Sequence, residues 1–213
     1  AQRAAKPATA ATRAAQARVR ASLPFENRRS FENARRVFIA TLEPLTIAHA
    51  RSPHPVYDLS GMGFLEDDAP DTVNPSLWRQ AQLNALYNGL FEVVPGIYQV
   101  RSFDIANMTL VQGDTGWVVI DPLTSSEASR AALDLANEHL GARPVTGVII
   151  THSHADHFAG VLGVISAADA ADGRIPVIAP EGFVKEALSE NVLAGNVMNR
   201  RATYMYGNLL APG

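Results

Sequence analysis

Residues 145–157 constrain the fold of this chain more than any other segment. Residues 145–150 form a short apolar run rich in β-branched side chains, which is typical of a strand buried on both faces of a sheet. The run leads directly into Thr-His-Ser-His-Ala-Asp-His, which holds three of the six histidines. This spacing does not suit a helix, where ligands pair at i, i+3 or i+4. We therefore predict a polar loop at the carboxyl end of an inner strand, where open α/β sheets place their sites.

The loop has the residue types of a metal site, because a carboxylate stands among three imidazoles and neutral imidazole is the commonest metal ligand. We predict that His152 and His154 bind one ion and that Asp156 and His157 bind a neighbouring ion. Two ions about 3.5–4 Å apart hold both the attacking and the leaving oxygen of a displacement. Water bound to such ions becomes a nucleophile near neutral pH.

The donor types favour two zinc ions, although manganese or iron would also accept imidazole and carboxylate. Asp156 is the predicted catalytic residue of the set. The alternative interpretation is a surface histidine cluster, or a group of capping residues around the start of a helix.

Composition limits the kind of protein. The 213 residues suffice for one domain with a core, and the mean hydropathy is close to zero, as in soluble globular chains. The absence of cysteine excludes disulfides and thiolate ligands. No apolar run has the length of a membrane span, the amino end lacks the apolar segment of a signal peptide, and no Gly-rich phosphate loop is present.

Charge is unevenly distributed along the chain. Residues 1–36 carry a balance of +7 and the remainder a balance of −10, which together give −3. A basic arm could bind nucleic acid or anionic lipid. Because the first twenty residues are rich in alanine and poor in aromatic residues, we predict instead a solvated helix or an arm wrapped over the body or a partner subunit, with no nucleic-acid partner.

The pattern divides the chain into three regions. Residues 1–42 form a basic, Ala-rich helical or extended arm that ends in a short helix over 30–42, and residues 43–75, rich in Pro, Gly and Asp, form an extended connector. Residues 76–213 form the first half of a catalytic domain. This domain begins with a helix that has Asn74 as its N-cap and Pro75 in its first turn. Its predicted apolar stripe consists of Leu83, Leu86, Tyr87 and Leu90.

The next segments alternate between strands and helices. A strand at 96–101 precedes a hairpin formed by 107–112 and 117–121. Thr124 and Glu127 then form a capping box for a helix that ends at Gly141. The strand at 145–150, the metal loop, a further helix from about residue 158 and a strand at 175–179 follow. These elements predict an α/β (α+β) fold that corresponds to the amino-terminal half of an αββα sandwich.

The motif at 151–157 resembles the first metal motif of the metallo-β-lactamase superfamily. Three segments together resemble the zinc-dependent linear alkyl sulfatases: Asp-Thr-Val-Asn-Pro-Ser-Leu-Trp-Arg-Gln at 71–80, the metal motif continued to residue 160, and Arg-Arg-Ala-Thr-Tyr-Met-Tyr-Gly-Asn at 200–208. The resemblance implies hydrolysis of alkyl sulfate esters such as dodecyl sulfate to alcohol and sulfate by a metal-bound water. One departure is Ala159, where the family usually has glycine.

The resemblance also implies roles for residues outside the metal motif. It implies that Asp121 supports the metal loop by orienting an imidazole, although a turn or helix cap would also explain this residue. It implies that Tyr206 and Asn208 donate hydrogen bonds to the sulfate, with core packing as the alternative. The family pattern favours a homodimer and a periplasmic or secreted location.

The family pattern places two further glutamates and a histidine later in the chain, but no histidine follows His157 here. Glu181, Glu186 and Glu190 have the spacing of a solvated helix face. We therefore expect the site to need a complementary carboxyl-terminal polypeptide. Two other functions stay open: another hydrolase of the same superfamily, such as a lactonase or thioesterase, and a non-catalytic metal-binding fragment.

Overall fold

The structure, a computed structural model, describes residues 6–206. The strands are Phe38–Ala40 (β1), Thr46–Ile47 (β2), Tyr57–Asp58 (β3), Gly89–Val94 (β4), Ile97–Arg101 (β5), Met108–Gln112 (β6), Trp117–Ile120 (β7), Val145–Ile149 (β8) and Val177–Ile178 (β9). The α-helices are Ala10–Ser22 (α1), Arg29–Arg35 (α2), Pro75–Ala85 (α3), Ser126–Leu140 (α4), Ala167–Ala171 (α5), Phe183–Leu188 (α6) and Gly195–Met205 (α7). Short 3-10 segments lie at Ser60–Glu66, Ala155–His157 and Val161–Gly163, and a π-helical turn lies at Ser189–Leu193.

The main sheet of the described residues has the order β1-β4-β5-β6-β7-β8-β9. Neighbouring strands from β1 to β7 pair antiparallel, whereas β7, β8 and β9 are parallel. Helix α4 connects β7 to β8, as a parallel pair requires. The mixed α/β fold predicted from the sequence is confirmed. Because β7 and β8 are adjacent and parallel, their carboxyl ends meet at one edge of the sheet.

The core lies between this sheet and α4. Trp117, Leu110 and Val148 of the sheet are fully or almost fully buried, as are Ala132 and Ala136 of the helix. The Trp117 indole N–H, which would be costly to bury without a partner, donates to Asn137 Oδ1 of α4 at 2.9 Å. Small residues on α4 allow its axis to lie close to the strands that carry the candidate site.

Several predicted elements are confirmed. Helix α3 begins at Pro75, and Asn74 caps it by accepting from the Ser76 N–H. The strand at β5, the hairpin of β6 and β7, and strands β8 and β9 lie where the pattern predicted them. Gly141 ends α4 with a φ of +90°, which a residue with a side chain rarely adopts.

Two predictions near the amino end were wrong. The segment 30–42 is not one helix, because α2 ends at Arg35 and Phe38–Ala40 pairs with β4 instead. Val37 has a φ of +57°, which breaks the helical path before the strand. Of the predicted apolar stripe, only Leu83 lies in α3, which ends at Ala85; Leu86 and Tyr87 follow the helix, and Leu90 lies in β4, where it is fully buried.

Two predictions next to the candidate site also need correction. Ser125, and not Thr124, caps α4 by accepting from the Ala128 N–H, while Glu127 accepts from the Ala50 N–H. The metal loop does not continue into an α-helix at residue 158, because two 3-10 turns intervene before α5. The glycines described below hold these turns against α4.

Residues 43–75, for which we predicted an extended connector, contain the β2–β3 pair and a 3-10 helix. Leu45, Ile47 and Leu65 of this region are buried, the first two within the main core. Among residues 6–206, no helix has both the length and the apolar character that crossing a bilayer requires.

Gly160 and Gly163 determine how closely the metal loop approaches α4. A Cβ at Gly160 would collide with the Pro122 carbonyl and the Ser129 hydroxyl, and one at Gly163 would collide with the Ser126 carbonyl. The preceding Ala159 is exposed, so its methyl group fits without rearrangement. The turns after the metal loop therefore pack directly on the amino end of α4.

We expect Gly160→Ala to lower the free energy of unfolding by about 1–3 kcal/mol, since backbone atoms must move to admit the methyl group. Urea denaturation measures the change. Gly61→Ala is the matched control, because nothing lies within 4 Å of a Cβ at Gly61. Equal losses in the two variants would contradict a steric role for Gly160.

Asp104 fixes the connection between β7 and α4. Its carboxylate accepts from the Ala106 N–H at 2.7 Å and from the Thr124 N–H at 2.6 Å. Burial nevertheless raises the pKa of Asp104, and the negative charge of Asp156 raises it further. A raised folded-state pKa means that Asp104 contributes its full stability below its unfolded pKa and loses it as the pH rises through the folded pKa.

We expect the stability advantage of the wild type over Asp104→Asn to be largest in acid and to decline as the pH rises above about 4. Urea unfolding of both proteins over a pH series, with a chelator present, measures this difference. Asp134→Asn, which removes an exposed carboxylate of α4, controls for the loss of one negative charge. An advantage that grows with pH would contradict the assigned sign.

Candidate metal centre

The candidate site lies where β7 and β8 end side by side. Ile120 pairs with Ile149, and the Asp121 N–H donates to the Ile149 carbonyl at 3.0 Å. This register places Asp121 beside Thr151, whose N–H donates to Asp121 Oδ1 at 2.8 Å. The two polar loops that follow these strands are therefore joined at their first residues.

Asp121 is only 8% exposed, yet its carboxylate is well satisfied. In addition to the Thr151 N–H, it accepts from the Thr151 hydroxyl at 2.7 Å and lies 2.8 Å from His157 Nδ1. Its backbone has a φ of +55°, a conformation that aspartate tolerates better than most residues. The buried charge is thus compensated by hydrogen bonds that all come from the metal loop.

The contact with Asp121 determines which ring nitrogen of His157 carries a proton. An ionised carboxylate accepts hydrogen bonds, so His157 Nδ1 carries a proton and donates it to Asp121. In the neutral ring, Nε2 then has a free lone pair. This nitrogen lies 3.3 Å from Asp156 Oδ2.

His152 is linked to the same carboxylate through the hydroxyl of Thr151. The Thr151 hydroxyl donates its only hydrogen to Asp121, so it accepts from His152 Nδ1 at 2.9 Å. The free lone pair of His152 is therefore on Nε2. That nitrogen lies 3.1 Å from Nδ1 of His154.

His154 has a carboxylate on its other side. Its Nε2 lies 3.3 Å from Glu190 Oε1, a contact that is an ion pair when the ring is protonated. Because the lone pair of His152 is on Nε2, Nδ1 of His154 donates to it. A divalent ion between these two nitrogens would take the place of that proton.

These separations fit a bound divalent ion. Two ligands of a tetrahedral zinc with bonds of about 2.0–2.1 Å lie about 3.3 Å apart. The pair His152 Nε2 and His154 Nδ1 is separated by 3.1 Å, and the pair His157 Nε2 and Asp156 Oδ2 by 3.3 Å. The rings of His152 and His157 are 4.0 Å apart between centroids, so the two pairs are neighbours.

Geometry alone also groups Asp121, His152 and His157, whose potential ligand atoms lie within 4.8 Å of one another. Both oxygens of Asp121 are already engaged by Thr151 and His157. Releasing them to bind an ion would leave a buried network unsatisfied. We therefore favour the set predicted from the sequence over this alternative set.

The structure does not join every predicted residue to the centre. Tyr206 follows α7 and is 69% exposed, and no hydrogen bond within residues 6–206 links its side chain to the metal loop. Asn208 lies outside the described residues. Glu190, which the sequence pattern placed on a solvated helix face, is brought to His154 instead.

Comparison with known proteins gives one family. The model of the metallo-beta-lactamase superfamily matches residues 101–208. A linear primary-alkylsulfatase from a Pseudomonas species is 50% identical over 98% of this chain, which spans 31% of that relative. An alkyl/aryl-sulfatase from Saccharomyces cerevisiae is 44% identical over 98% of this chain, which spans 32% of that relative.

A solved structure also matches. The stereoselective inverting sec-alkylsulfatase of a Pseudomonas species is 50% identical, with a TM-score of 0.87 over 93% of this chain and 31% of that chain. The chain thus spans about a third of the length of the relatives it matches. The superfamily match covers the metal loop and implies divalent metal binding. The strand-end loop and the family match agree, and the chain belongs to the metallo-beta-lactamase superfamily.

Proposed function

We propose that the intact protein hydrolyses alkyl sulfate esters to an alcohol and sulfate at a dinuclear metal site. The observation that carries this proposal is the ligand-like spacing of His152 Nε2 and His154 Nδ1, 3.1 Å apart, next to His157 Nε2 and Asp156 Oδ2, 3.3 Å apart. The substrate class is supported by relatives that are named alkylsulfatases and are 44–50% identical over 98% of the chain.

The proposed ligands divide into two pairs. His152 Nε2 and His154 Nδ1 would hold one zinc ion, and Asp156 Oδ2 and His157 Nε2 would hold the other. Imidazole and carboxylate also accept manganese or iron, so zinc is the proposed rather than the required metal. Asp121 would fix His157 in the tautomer that presents Nε2, as carboxylates commonly do for metal-binding histidines.

When bound, two divalent ions supply a water of lowered pKa and positive charge that opposes the negative sulfate group. The chain's own residues hold and orient the reactants. Asp156 is the proposed catalytic residue, because among the described residues its Oδ1 has no hydrogen-bond partner and can accept from the attacking water. Tyr206 and Asn208 are the proposed hydrogen-bond donors to the sulfate.

Four donors are too few for two catalytic ions, since a catalytic zinc usually has three protein ligands and a water. We propose that a complementary carboxyl-terminal polypeptide supplies the remaining donors. Exposed apolar side chains of the α6–α7 region support a further packing partner there: Val184, Leu188, Val192, Leu193, Val197, Met198, Tyr204 and Met205. A homodimer, implied by the family resemblance, is part of the same proposal.

We expect the intact protein to bind two transition-metal ions and to hydrolyse dodecyl sulfate. Elemental analysis and sulfate release measure these properties, and a panel with lactones and thioesters tests other superfamily reactions. Hydrolysis of lactones or thioesters, with no hydrolysis of sulfate esters, would show that the proposed substrate class is wrong. A protein that binds metal weakly and turns over none of them would be the non-catalytic fragment.

We expect His154→Ala and Asp156→Ala each to lower sulfatase activity at least about 100-fold and to reduce the bound metal, since each removes a direct ligand. His139→Ala is the matched control, because His139 is exposed near the end of α4. Wild-type metal content and turnover in both ligand variants would refute the site.

Isotope-labelled water identifies the bond that breaks. Attack on sulfur places the label in sulfate, whereas attack on carbon places it in the alcohol.

Measuring sulfate release by the 213-residue chain alone tests the need for the carboxyl-terminal polypeptide. We expect this chain alone to be inactive, and full activity of the chain alone would contradict that part of the proposal.

A further inference from the structure

Residues 28–38 combine basic and apolar side chains on one exposed stretch of the chain. The stretch comprises α2, the residues on either side of it and the start of β1. It contains one carboxylate, Glu32, and four arginines, all of which are exposed: Arg28, Arg29, Arg35 and Arg36. Neither the metal site nor the family match assigns a role to this stretch.

The positive charge of the stretch is not neutralised by ion pairs. Among residues 6–206, no carboxylate oxygen lies within 4.0 Å of a guanidinium nitrogen of these four arginines. Aromatic rings hold two of the four instead, because the guanidinium carbon of Arg28 lies 3.9 Å from the centroid of Phe31 and that of Arg35 lies 5.1 Å from the centroid of Tyr87. A further guanidinium, that of Arg79, lies 4.6 Å from Phe31. Like charges gathered in this way attract an anionic partner.

Exposed apolar side chains adjoin the arginines. Val37 and Phe38 directly follow them in the chain and are 47% and 49% exposed. The Val37 carbonyl accepts from the Glu92 N–H at 3.0 Å, and the next residue of β4, Val93, is exposed as well. Basic and exposed apolar side chains together are typical of segments that lie in the interface of an anionic amphiphile.

The backbone of Val37 supports a role for its exposed side chain. Its φ is +57°, a region in which a β-branched residue is an outlier and asparagine is far more common. Because about half of Val37 is exposed, packing within the described residues explains little of this choice. Residues held in such conformations cluster at functional sites.

We propose that the exposed side chains of residues 28–38 form a docking surface, the basic face, for aggregates of an anionic single-chain amphiphile such as dodecyl sulfate. This inference rests on the proposed function and extends it, because an aggregated alkyl sulfate presents a surface of sulfate groups. The planar guanidinium groups match the oxygens of such a head group. The exposed apolar side chains then lie among the alkyl chains.

The charge of the remaining chain determines how the protein docks. Residues 37–213 carry a balance of −10, whereas residues 1–36 carry +7. An anionic surface repels the first region and attracts the second, so it meets the basic face. In the sheet order, β1 is five strands from β8, which corresponds to about 24 Å at the usual strand spacing. The aggregate would therefore lie away from the metal loop and raise the local concentration of substrate near it.

Nucleic acid is the other polyanion that a basic surface attracts. Proteins bind single strands by stacking the bases on exposed aromatic side chains. In the basic face Phe31 is buried, and Phe38 packs edge-on against Phe91 with ring centroids 5.4 Å apart. The exposed Val37 offers a base no hydrogen bond. These contacts favour the amphiphile over nucleic acid.

The test measures binding of the intact protein to vesicles by cosedimentation. The vesicles consist of phosphatidylcholine with a minor fraction of dodecyl sulfonate, whose carbon–sulfur bond is not a sulfate ester. We expect Arg29→Gln/Arg36→Gln to weaken binding about 10-fold or more, since each basic residue near an anionic surface contributes about fivefold. Arg18→Gln/Arg130→Gln is the matched control, because it removes the same charge from exposed positions of α1 and α4.

A further variant separates docking from stability. Because asparagine tolerates a positive φ, we expect Val37→Asn to unfold at the same or a higher urea concentration than the wild type. The same variant should bind the vesicles about 3–10-fold more weakly, since an apolar side chain no longer enters them. Unchanged binding, or binding lost together with stability, would contradict the docking role of Val37.

The controls define the results that would overturn the basic face. We expect binding to disappear at high salt and to be absent with pure phosphatidylcholine vesicles. Equal losses in the Arg29→Gln/Arg36→Gln and control variants would overturn the proposal. Equal or tighter binding to vesicles that carry the same charge as phosphatidylserine would assign the surface to a lipid membrane, and binding to a DNA duplex without binding to the sulfonate vesicles would assign it to nucleic acid.

The basic face and the proposed function can fail separately. We expect Asp156→Ala to lose sulfatase activity and to keep its binding to the sulfonate vesicles. A wild type that binds these vesicles and hydrolyses no sulfate ester would contradict the proposed function and not the basic face. A wild type that hydrolyses sulfate esters without binding the vesicles would overturn the basic face alone.

Discussion

The carboxylate of Asp121 is the interaction on which the candidate site depends. It joins the end of β7 to the loop after β8 by accepting from the backbone and the hydroxyl of Thr151 and from His157. A buried carboxylate is costly without such partners, and each donor it attracts is a residue of the metal loop. The free energy that compensates this charge therefore also fixes the loop. Through Thr151 the same carboxylate reaches His152, so two of the three imidazoles are oriented by one buried group.

Strand topology explains why these residues can meet although they are distant in sequence. Parallel strands need a long crossover, and α4 provides it on one face of the sheet. Both strand ends then point to the same edge, and side chains of two loops converge without a long insertion in either. Gly160 and Gly163 let the loop return against the first turn of α4, where any side chain would collide with backbone carbonyls. The fold thus fixes the metal loop through Asp121 on one side and through these two glycines on the other.

The sequence predicted the parts of this arrangement that depend on local chemistry. The apolar run before residue 151 and the spacing of its histidines were sufficient for the strand and the polar loop, and the Asn74 cap and Gly141 stop located two helix ends. The misassignments occurred where tertiary contacts outweigh local pattern. Phe38–Ala40 is a strand because β4 offers it a partner, and the segment after residue 157 is not an α-helix because it packs tightly on α4. The spacing of Glu190 predicted an ordinary solvated face, whereas the residue lies in a π turn and contacts His154.

The hydrogen bonds around the three imidazoles determine the orientation of the donors, not their number. His157 and His152 each present Nε2 because Nδ1 is occupied by Asp121 or by the Thr151 hydroxyl, so part of the conformational entropy of these two side chains is lost when the loop folds. An ion that arrives then meets donors already at ligand spacing, such as the 3.1 Å between His152 and His154. An ion between these two nitrogens would displace the proton that joins them, and binding a metal therefore competes with protonation of these rings. Ordering the loop before an ion binds reduces the conformational entropy that metal binding would otherwise have to overcome.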